Sequence, residues 1–270
     1  ARMILLFLLA TYYYVLESLI HIQIVDASSS SVAGQDTLVG IVGKDFVMLG
    51  ADSSCSLRGT LALTASNVDK IHVIRSSNAQ QQCIAAAAAG NPADSDRLLG
   101  LLRAHAALRE YEATGIGSDV ECVFVGTNGG STDGSSSSSS DFPIGLDARA
   151  VSHLARTEIS SSLRTASSLQ VCLLVAGMIR EDNCLLQPCL FWLDNTGFQQ
   201  RVSYGAHGYG SNFIWSILDR NYKPNMSKEE AFQLMTNCFQ QLRTRYVINT
   251  GPYPPCIKCI DAIHGCTTMQ

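Results

Sequence analysis

The order in which strand-like and helix-like segments follow one another constrains the fold of this chain more than any other feature. Strand-like runs cluster at 37–51 and 71–89 and again at 169–204, and a pair of helix-like segments follows each cluster. A short strand-like run at 256–263 comes last. Clustered strands favour antiparallel sheets, because a parallel sheet needs a helix between successive strands. We therefore predict an α+β fold, a four-layer αββα sandwich with two antiparallel sheets between helix pairs.

Turn and burial patterns support the predicted strands. The runs Thr37–Val42 and Phe46–Ala51 flank the tripeptide Gly-Lys-Asp at 43–45, which has the length and chemistry of a hairpin turn. The run 83–89 is continuously apolar, which favours a strand buried on both faces. The tripeptide Asn-Thr-Gly at 195–197 predicts a turn into a further strand that ends near residue 204.

Helix-start signals mark the first helix pair. Asn91 can cap free amides and Pro92 suits the first helical position, so we predict a helix that runs to about residue 113. His105 lies on the apolar stripe of this helix, and we expect it to be buried in the core or at an interface. A second helix is predicted from Asp147, with Leu163 on its apolar side.

The second helix pair shows a clearer start signal. The segment 211–218 is helical in pattern, and a capping box at 227–230 opens a helix predicted to end near Arg245. Upstream of this pair lie His207 and Tyr209, which we expect to be core residues rather than interface residues.

Composition excludes several functional classes. Hydrophobic residues make up 46% of the 270 residues and charged residues 16%, which excludes a disordered tail or a highly charged coiled coil. The chain carries 19 basic and 23 acidic residues, for a net charge of -4, without any long basic cluster. We therefore predict no nucleic-acid partner, and no pattern indicates a cofactor.

Ten cysteines are present, and most lie in apolar runs, as is typical of reduced, buried thiols in a cytosolic protein. Cys256 and Cys259 are the only pair at metal-ligand spacing, and they lack a second cysteine pair or a pair of histidines. We therefore predict no metal site and interpret the two residues as thiols on a strand.

The first 35 residues differ from the rest of the chain. Arg2 precedes an uncharged apolar run at 4–16, which resembles a signal peptide but is too short to span a bilayer. We interpret 1–35 as a leader or propeptide-like extension; a targeting signal and translated upstream sequence of the gene are the alternatives. The main domain is predicted at 36–270, with a Gly/Ser-rich surface insertion at about 115–145. No membrane partner is expected.

Several motifs then identify a family. The sequences TLVGI at 37–41, LGADS at 49–53 and DKI at 69–71 resemble the N-terminal signature of proteasome beta subunits. AHGYG at 206–210 and ILDRNY at 217–222 strengthen the resemblance, which covers the chain outside the leader and the serine-rich insertion. The resemblance implies the αββα sandwich of N-terminal-nucleophile hydrolases, in agreement with the order of elements.

The resemblance also bears on catalysis. Catalytic members of the family cut peptides with the hydroxyl of an N-terminal threonine, helped by its own amine or a water and by a nearby lysine. In those members the threonine lies sixteen residues before the aspartate of the Gly-Ala-Asp motif, which is Asp52 here, and that position holds Asp36. Thr37 lies one place too late. The resemblance implies an inactive subunit; the alternative is an active threonine endopeptidase that uses Thr37 after processing.

Other positions agree with an inactive site. Tyr246 and Asn249 stand where active members have the aspartate and serine of an Asp-x-x-Ser-Gly-Gly element. Tyr209 stands where they have the serine of a Gly-Ser-Gly element. Asp52 and Lys70 keep the family's residue types, and we interpret them as an ion pair or loop anchor that remains in an inactive site.

Within the family, the acidic residue before TLVGI and the sequence RYVIN at 245–249 most resemble the non-catalytic class at the beta-4 position. This resemblance implies a structural subunit of a threonine-type endopeptidase complex that degrades ubiquitinated proteins. The implied partners are beta subunits in the same and the opposite inner ring of the 20S core, alpha-ring subunits, and unfolded polypeptide in the chamber. The implied location is the cytoplasm and nucleus.

Overall fold

The computed structural model describes residues 36–56, 63–77, 82–114, 146–180, 186–245 and 253–269. The predicted leader at 1–35 and the predicted insertion at 115–145 lie outside the described residues. The strands are β1 Thr37–Val42, β2 Phe46–Ala51, β3 Ser54–Ser56, β4 Leu63–Ser66, β5 Ile71–Ser77, β6 Gln82–Gly90, β7 Val171–Arg180, β8 Leu186–Leu193, β9 Gln199–Val202, β10 Tyr204–Gly208, β11 Cys256–Asp261 and β12 Gly265–Met269. The helices are α1 Pro92–Thr114, α2 Ala148–Ser162, α3 Ser211–Asn221 and α4 Lys228–Arg245.

The described strands form two five-stranded antiparallel sheets and one short hairpin. The first sheet has the order β10-β1-β2-β11-β12 and the second the order β5-β6-β7-β8-β9. Strands β3 and β4 pair with each other. Helices α1 and α2 pack on the second sheet and α3 and α4 on the first. The predicted αββα sandwich is confirmed.

Alternation along the strands divides the core into three layers. In β1, Val39 and Ile41 pack under α3 and α4, whereas Leu38 points into the layer between the sheets. In β6, Ile84 contributes to the layer under α1 and α2, and Ala85 to the layer between the sheets. Because successive side chains of a strand point to opposite faces, each strand contributes side chains to two layers of the core.

The predicted helix starts have the expected geometry. Asp147 caps α2 by accepting a 2.7 Å hydrogen bond from the amide of Ala150. In the capping box of α4, the amide of Ser227 donates to Glu230 Oε2 at 2.9 Å, and the amide of Glu230 donates to Ser227 Oγ at 3.3 Å. Side-chain acceptors therefore satisfy amides that have no partner within the helix.

One prediction about a helix face was wrong in part, and a second was wrong. His105 is exposed rather than buried in the core, because α1 turns Leu102 and Ala106 towards the sheet and leaves His105 on the solvent side; its place at an interface stays a prediction. Leu163 is 44% exposed, because it follows the last residue of α2 and no longer shares the buried face of that helix.

Two strand boundaries also differ from the prediction. The predicted strand at 198–204 is interrupted at Ser203, since β9 belongs to the second sheet and β10 to the first. The segment predicted as one strand at 256–263 ends at Asp261, and a hairpin leads from it into β12. None of the helices in the described ranges combines the length and apolar character needed to cross a membrane.

Replacing Leu190 tests whether the layer between the two sheets is tightly packed. The Leu190 side chain is fully buried. Its Cδ2 packs against β1 so closely that a Cβ built on Gly40 would lie only 2.7 Å from it. Leu190→Ala should lower the free energy of unfolding by about 2–5 kcal/mol because it leaves a cavity between the two sheets. Urea unfolding of the full chain, followed by circular dichroism, measures this loss.

Leu108→Ala is the matched control, since Leu108 is 53% exposed and its loss should change the free energy of unfolding by less than about 0.5 kcal/mol. Equal losses for the two variants would contradict the layer assignment.

Candidate functional site

The β1–β2 hairpin brings the start of one strand beside the end of the other. Leu38 pairs with Ala51, so Thr37 lies next to Asp52. The amide of Thr37 donates to Asp52 Oδ1 at 3.0 Å, and the amide of Asp52 donates to the carbonyl of Thr37 at 3.1 Å. The side chain of Asp52 is thus fixed at the end of the hairpin, beside Asp36.

Lys70 completes the cluster from the entry to β5. Its Nζ donates to Asp36 Oδ1 at 2.5 Å, to Asp52 Oδ1 at 2.9 Å and to the carbonyl of Ser54 at 2.6 Å. An ammonium group has three donors, so these bonds satisfy all of them. All four residues are buried. Asp36, Asp52 and Lys70, singled out in the sequence, are therefore brought together.

The electrostatics of the cluster follow from its burial. Burial raises the pKa of Asp52, and the nearby Lys70 ammonium opposes this effect without cancelling it. Burial also disfavours the charged form of Lys70, but attraction to Asp52 and Asp36 outweighs this cost and raises the pKa of Lys70. Lys70 is therefore held firmly in its ammonium form and cannot serve as a proton acceptor near neutral pH.

Thr37 points away from this cluster. Its side chain shares a strand face with Val39 and Ile41, which pack under α3 and α4. Its Oγ1 is buried without a hydrogen-bond partner in the described part of the chain, and a Cβ added to Gly210 would lie 3.2 Å from it. The residue is only 1% exposed. The hydroxyl of Thr37 is therefore separated from Lys70 by the strand itself.

The β10 end closes the site from the other side. The amide of Tyr209 donates to the carbonyl of Asp36 at 3.1 Å. Gly208 has a φ of 95°, and a Cβ there would lie 1.8 Å from the carbonyl oxygen of Asp36, so the position requires glycine. The Tyr209 ring is 60% exposed, so its prediction as a core residue was wrong. It projects outward because its backbone, not its ring, makes the contact with Asp36.

Some site contacts could not be read from the sequence, and two predicted positions are untested. The carbonyl of Ser54 binds Lys70 through the backbone, which leaves no side-chain signal. Gly208 was visible as part of a motif, but its close approach to Asp36 was not. Tyr246 and Asn249 lie outside the described residues.

In the part of the chain that the structure describes, no group of three or more His, Cys, Asp or Glu side chains is placed to hold a metal ion.

His207 lies beside the site on β10 and is buried, as predicted. Its ring stacks on Trp192 with centroids 4.4 Å apart and 17° between the planes. Its Nε2 has no hydrogen-bond partner among the described residues. Burial lowers the pKa of His207 to about 4, so the ring is neutral at pH 7.

Replacing Lys70 tests the ion cluster. Lys70→Met should lower the free energy of unfolding by about 3–5 kcal/mol, because it leaves two buried carboxylates without a counter-charge. Asp36→Asn added to Lys70→Met should recover part of the loss. Urea unfolding of the full chain measures both effects. Lys44→Met, at an exposed turn residue, is the control; a Lys70→Met loss no larger than that of Lys44→Met would contradict the cluster's structural role.

The buried ring of His207 should make the free energy of unfolding depend on pH. The pKa falls from 6.5 in the unfolded chain to about 4 in the fold, so folding favours the neutral ring. This contribution is complete above pH 6.5 and is lost as the pH falls towards 4, by about 3 kcal/mol in all. His207→Phe should flatten the curve of unfolding free energy between these two pH values, whereas the exposed His153→Phe should leave it unchanged. A curve that stays equally steep in His207→Phe would refute the assignment.

Comparison with known proteins agrees with the fold. The family described as "Proteasome subunit" matches residues 32–122 and 136–253. The chain is 31% identical to "Probable proteasome subunit beta type-4" of Schizosaccharomyces pombe over 79% of its own length and 90% of that protein. It is 36% identical to "Proteasome subunit beta type-4" of Saccharomyces cerevisiae over 37% of its length and 49% of that protein.

A plant relative extends this likeness over a longer stretch. The chain is 27% identical to "Proteasome subunit beta type-2-A" of Arabidopsis thaliana, over 84% of its own length and 89% of that protein. The resemblance to beta subunits of this kind is thus confirmed, and the chain belongs to the proteasome subunit family.

Proposed function

We propose that this chain is a non-catalytic structural beta subunit of the 20S proteasome core. The observation that supports the proposal is that the carboxylate of Asp36, which the resemblance aligns with the catalytic threonine, lies 2.5 Å from Lys70 Nζ. The family membership supports assembly with other proteasome subunits. In this proposal the chain shapes the chamber and leaves peptide cleavage to other subunits.

The chemistry of Asp36 explains why it does not act as the nucleophile. Threonine peptidases need a hydroxyl that gives up its proton as it attacks the peptide carbonyl. A carboxylate has no such proton, and that of Asp36 is neutralised by a buried ammonium. The three donors of Lys70 are also taken by Asp36, Asp52 and Ser54, so Lys70 has none left for a reacting oxygen.

Thr37 does not fit the alternative of an active endopeptidase. Cleavage before Thr37 would leave its amine beside Asp52, where its amide now donates at 3.0 Å. Its hydroxyl, however, lies on the helix side of β1, and reaching Lys70 would require the strand to turn its faces over. Such a turn would also expose Val39 and Ile41 of the same face, which are fully buried.

Exposed apolar side chains support a role in assembly. Tyr209 and Tyr253 are exposed near the site, and Ile263 is 82% exposed at the turn between β11 and β12. Large apolar groups of this kind are enriched at protein interfaces. We propose as partners the beta subunits of the same and the opposite inner ring and the alpha-ring subunits, with unfolded polypeptide in the chamber. The proposed setting is degradation of ubiquitinated proteins in the cytoplasm and nucleus.

Labelling of the subunit in its native complex tests the proposal. The complex is treated with an electrophile that captures N-terminal threonine, and each subunit is then analysed by intact mass and N-terminal sequencing. We expect no label on this subunit and an N-terminus at Asp36 or upstream. Labelled catalytic subunits of the same complex are the internal control. An N-terminus at Thr37 with stoichiometric label would overturn the non-catalytic assignment.

A further inference from the structure

The first sheet has a gap at its edge, where β12 stops short of the start of β11. Met269, the last residue of β12, pairs with Ile257 of β11. The residue before it, Cys256, pairs with Ala51 of β2 on one side and has no strand partner on the other side among the described residues. The gap therefore lies in the line of β12, beside the segment that leads into β11.

Two adjoining cavities lie at this gap and extend towards the candidate site. The larger, of about 580 Å³, is lined by the adjoining ends of β11 and β12 and by Phe232 of α4. The smaller, of about 280 Å³, is lined by Asp52, Tyr253 and Phe239 among others. The residues that line both cavities are Ser53, Thr236, Pro254 and Pro255. The two cavities thus form one groove along residues 253–258.

The lining of the groove favours an uncharged, apolar occupant. Most of its surface is apolar, and its charged side chains are already paired. Asp52 accepts from Lys70 at 2.9 Å, and Lys258 donates to Asp69. Arg243 also interacts within the chain. A charged occupant would therefore lose water without gaining a counter-charge.

The shape of the groove favours an extended peptide. Pro254 and Pro255 hold φ fixed along one wall, and Ser53 Oγ donates to the carbonyl of Tyr253 at 3.3 Å. Residues 253–258 could face an extended segment of about six residues, or about 20 Å at about 3.3 Å per residue. Such a segment would continue the line of β12 along the open side of Cys256.

The strand that borders the gap also lacks the protection seen at another edge. On the edge strand β5, the carbonyls of Ile71 and Val73 accept from Lys258 Nζ at 2.7 Å and from Arg103 Nε at 3.2 Å. In contrast, β12 has the uncharged sequence GCTTM and is paired on one side alone. Edges without charged side chains are the places where a further strand is most readily added.

We propose that this groove binds an extended, uncharged apolar segment of a neighbouring subunit as an added strand. The proposal rests on the proposed role of the chain in assembly. Main-chain groups of the segment pair with the open side of Cys256, and its apolar side chains enter the two cavities. The preformed wall lowers the ordering cost of binding, which favours one permanent partner segment over the varied polypeptides of the chamber.

Cross-linking in the native complex tests this site. Thr236 is exposed on α4 and lines both cavities, so Thr236→p-benzoylphenylalanine places a photoreactive group in the groove. The complex that contains the variant chain is purified, irradiated, digested and analysed by mass spectrometry. We expect a cross-link to one segment of another subunit, in a stretch of about six uncharged residues.

The matched control carries the same photoreactive group at Thr244, which is exposed on the same helix but lines neither cavity. This variant should not cross-link to that segment. Cross-links from position 236 that are spread over many substrate peptides, confined to this chain or absent would each overturn the proposal. Absence of the unaltered chain from the complex would overturn the proposed function and this proposal together, and is thus distinguished from an empty groove.

Hydrogen exchange of the unaltered chain gives a second measurement, which decides the question even if a variant fails to fold. Amide exchange at 256–258 and 265–269 is compared between the free full chain and the chain in the complex. We expect slower exchange in the complex, because an added strand would protect the edge of the sheet. Equal exchange rates in the two states would overturn the proposal.

Discussion

The ammonium of Lys70 holds together the point where the two sheets, the first hairpin and the candidate site meet. It comes from the entry to β5 in the second sheet and binds Asp36 and Asp52, which flank β1 and β2 in the first. A buried charge is stable only when its partners satisfy it fully. Here three oxygens do so, which fixes the start of β1 relative to β5. The cluster therefore fixes the position of the chain at the start of β1.

The same interaction supports the proposal that this site keeps residue types of active members without their chemistry. Asp52 and Lys70 remain, and in that proposal the carboxylate of Asp36 stands where active members have a reacting hydroxyl. In our account, Asp52 and Lys70 keep residue types that support a nucleophile in active members but form a structural ion pair in this chain. Thr37 does not compensate, because β1 directs its hydroxyl under α3 and α4. Because neighbouring residues of a strand point to opposite faces, the side chains of Asp36 and Thr37 lie on opposite sides of the chain at the start of β1.

Much of this architecture was predictable from local sequence patterns. The hairpin turn at 43–45, the start of α2 at Asp147 and the capping box at Ser227 were all confirmed, because turns and helix ends depend on neighbouring residues. The face of Thr37 could also have been derived, since Val39 and Ile41 follow it at every second position.

What escaped prediction depends on contacts between distant segments. The switch of sheets at Ser203 and the exposure of His105 are decided by how whole sheets and helices pack. The carbonyl of Ser54 and the approach of Gly208 to Asp36 involve backbone atoms. A density map of the native particle treated with a covalent threonine-peptidase inhibitor tests the central claim most directly. Our account predicts that Asp36 contacts Lys70 in an inhibitor-free site; inhibitor density bonded to Thr37 Oγ1 beside Lys70 would contradict it.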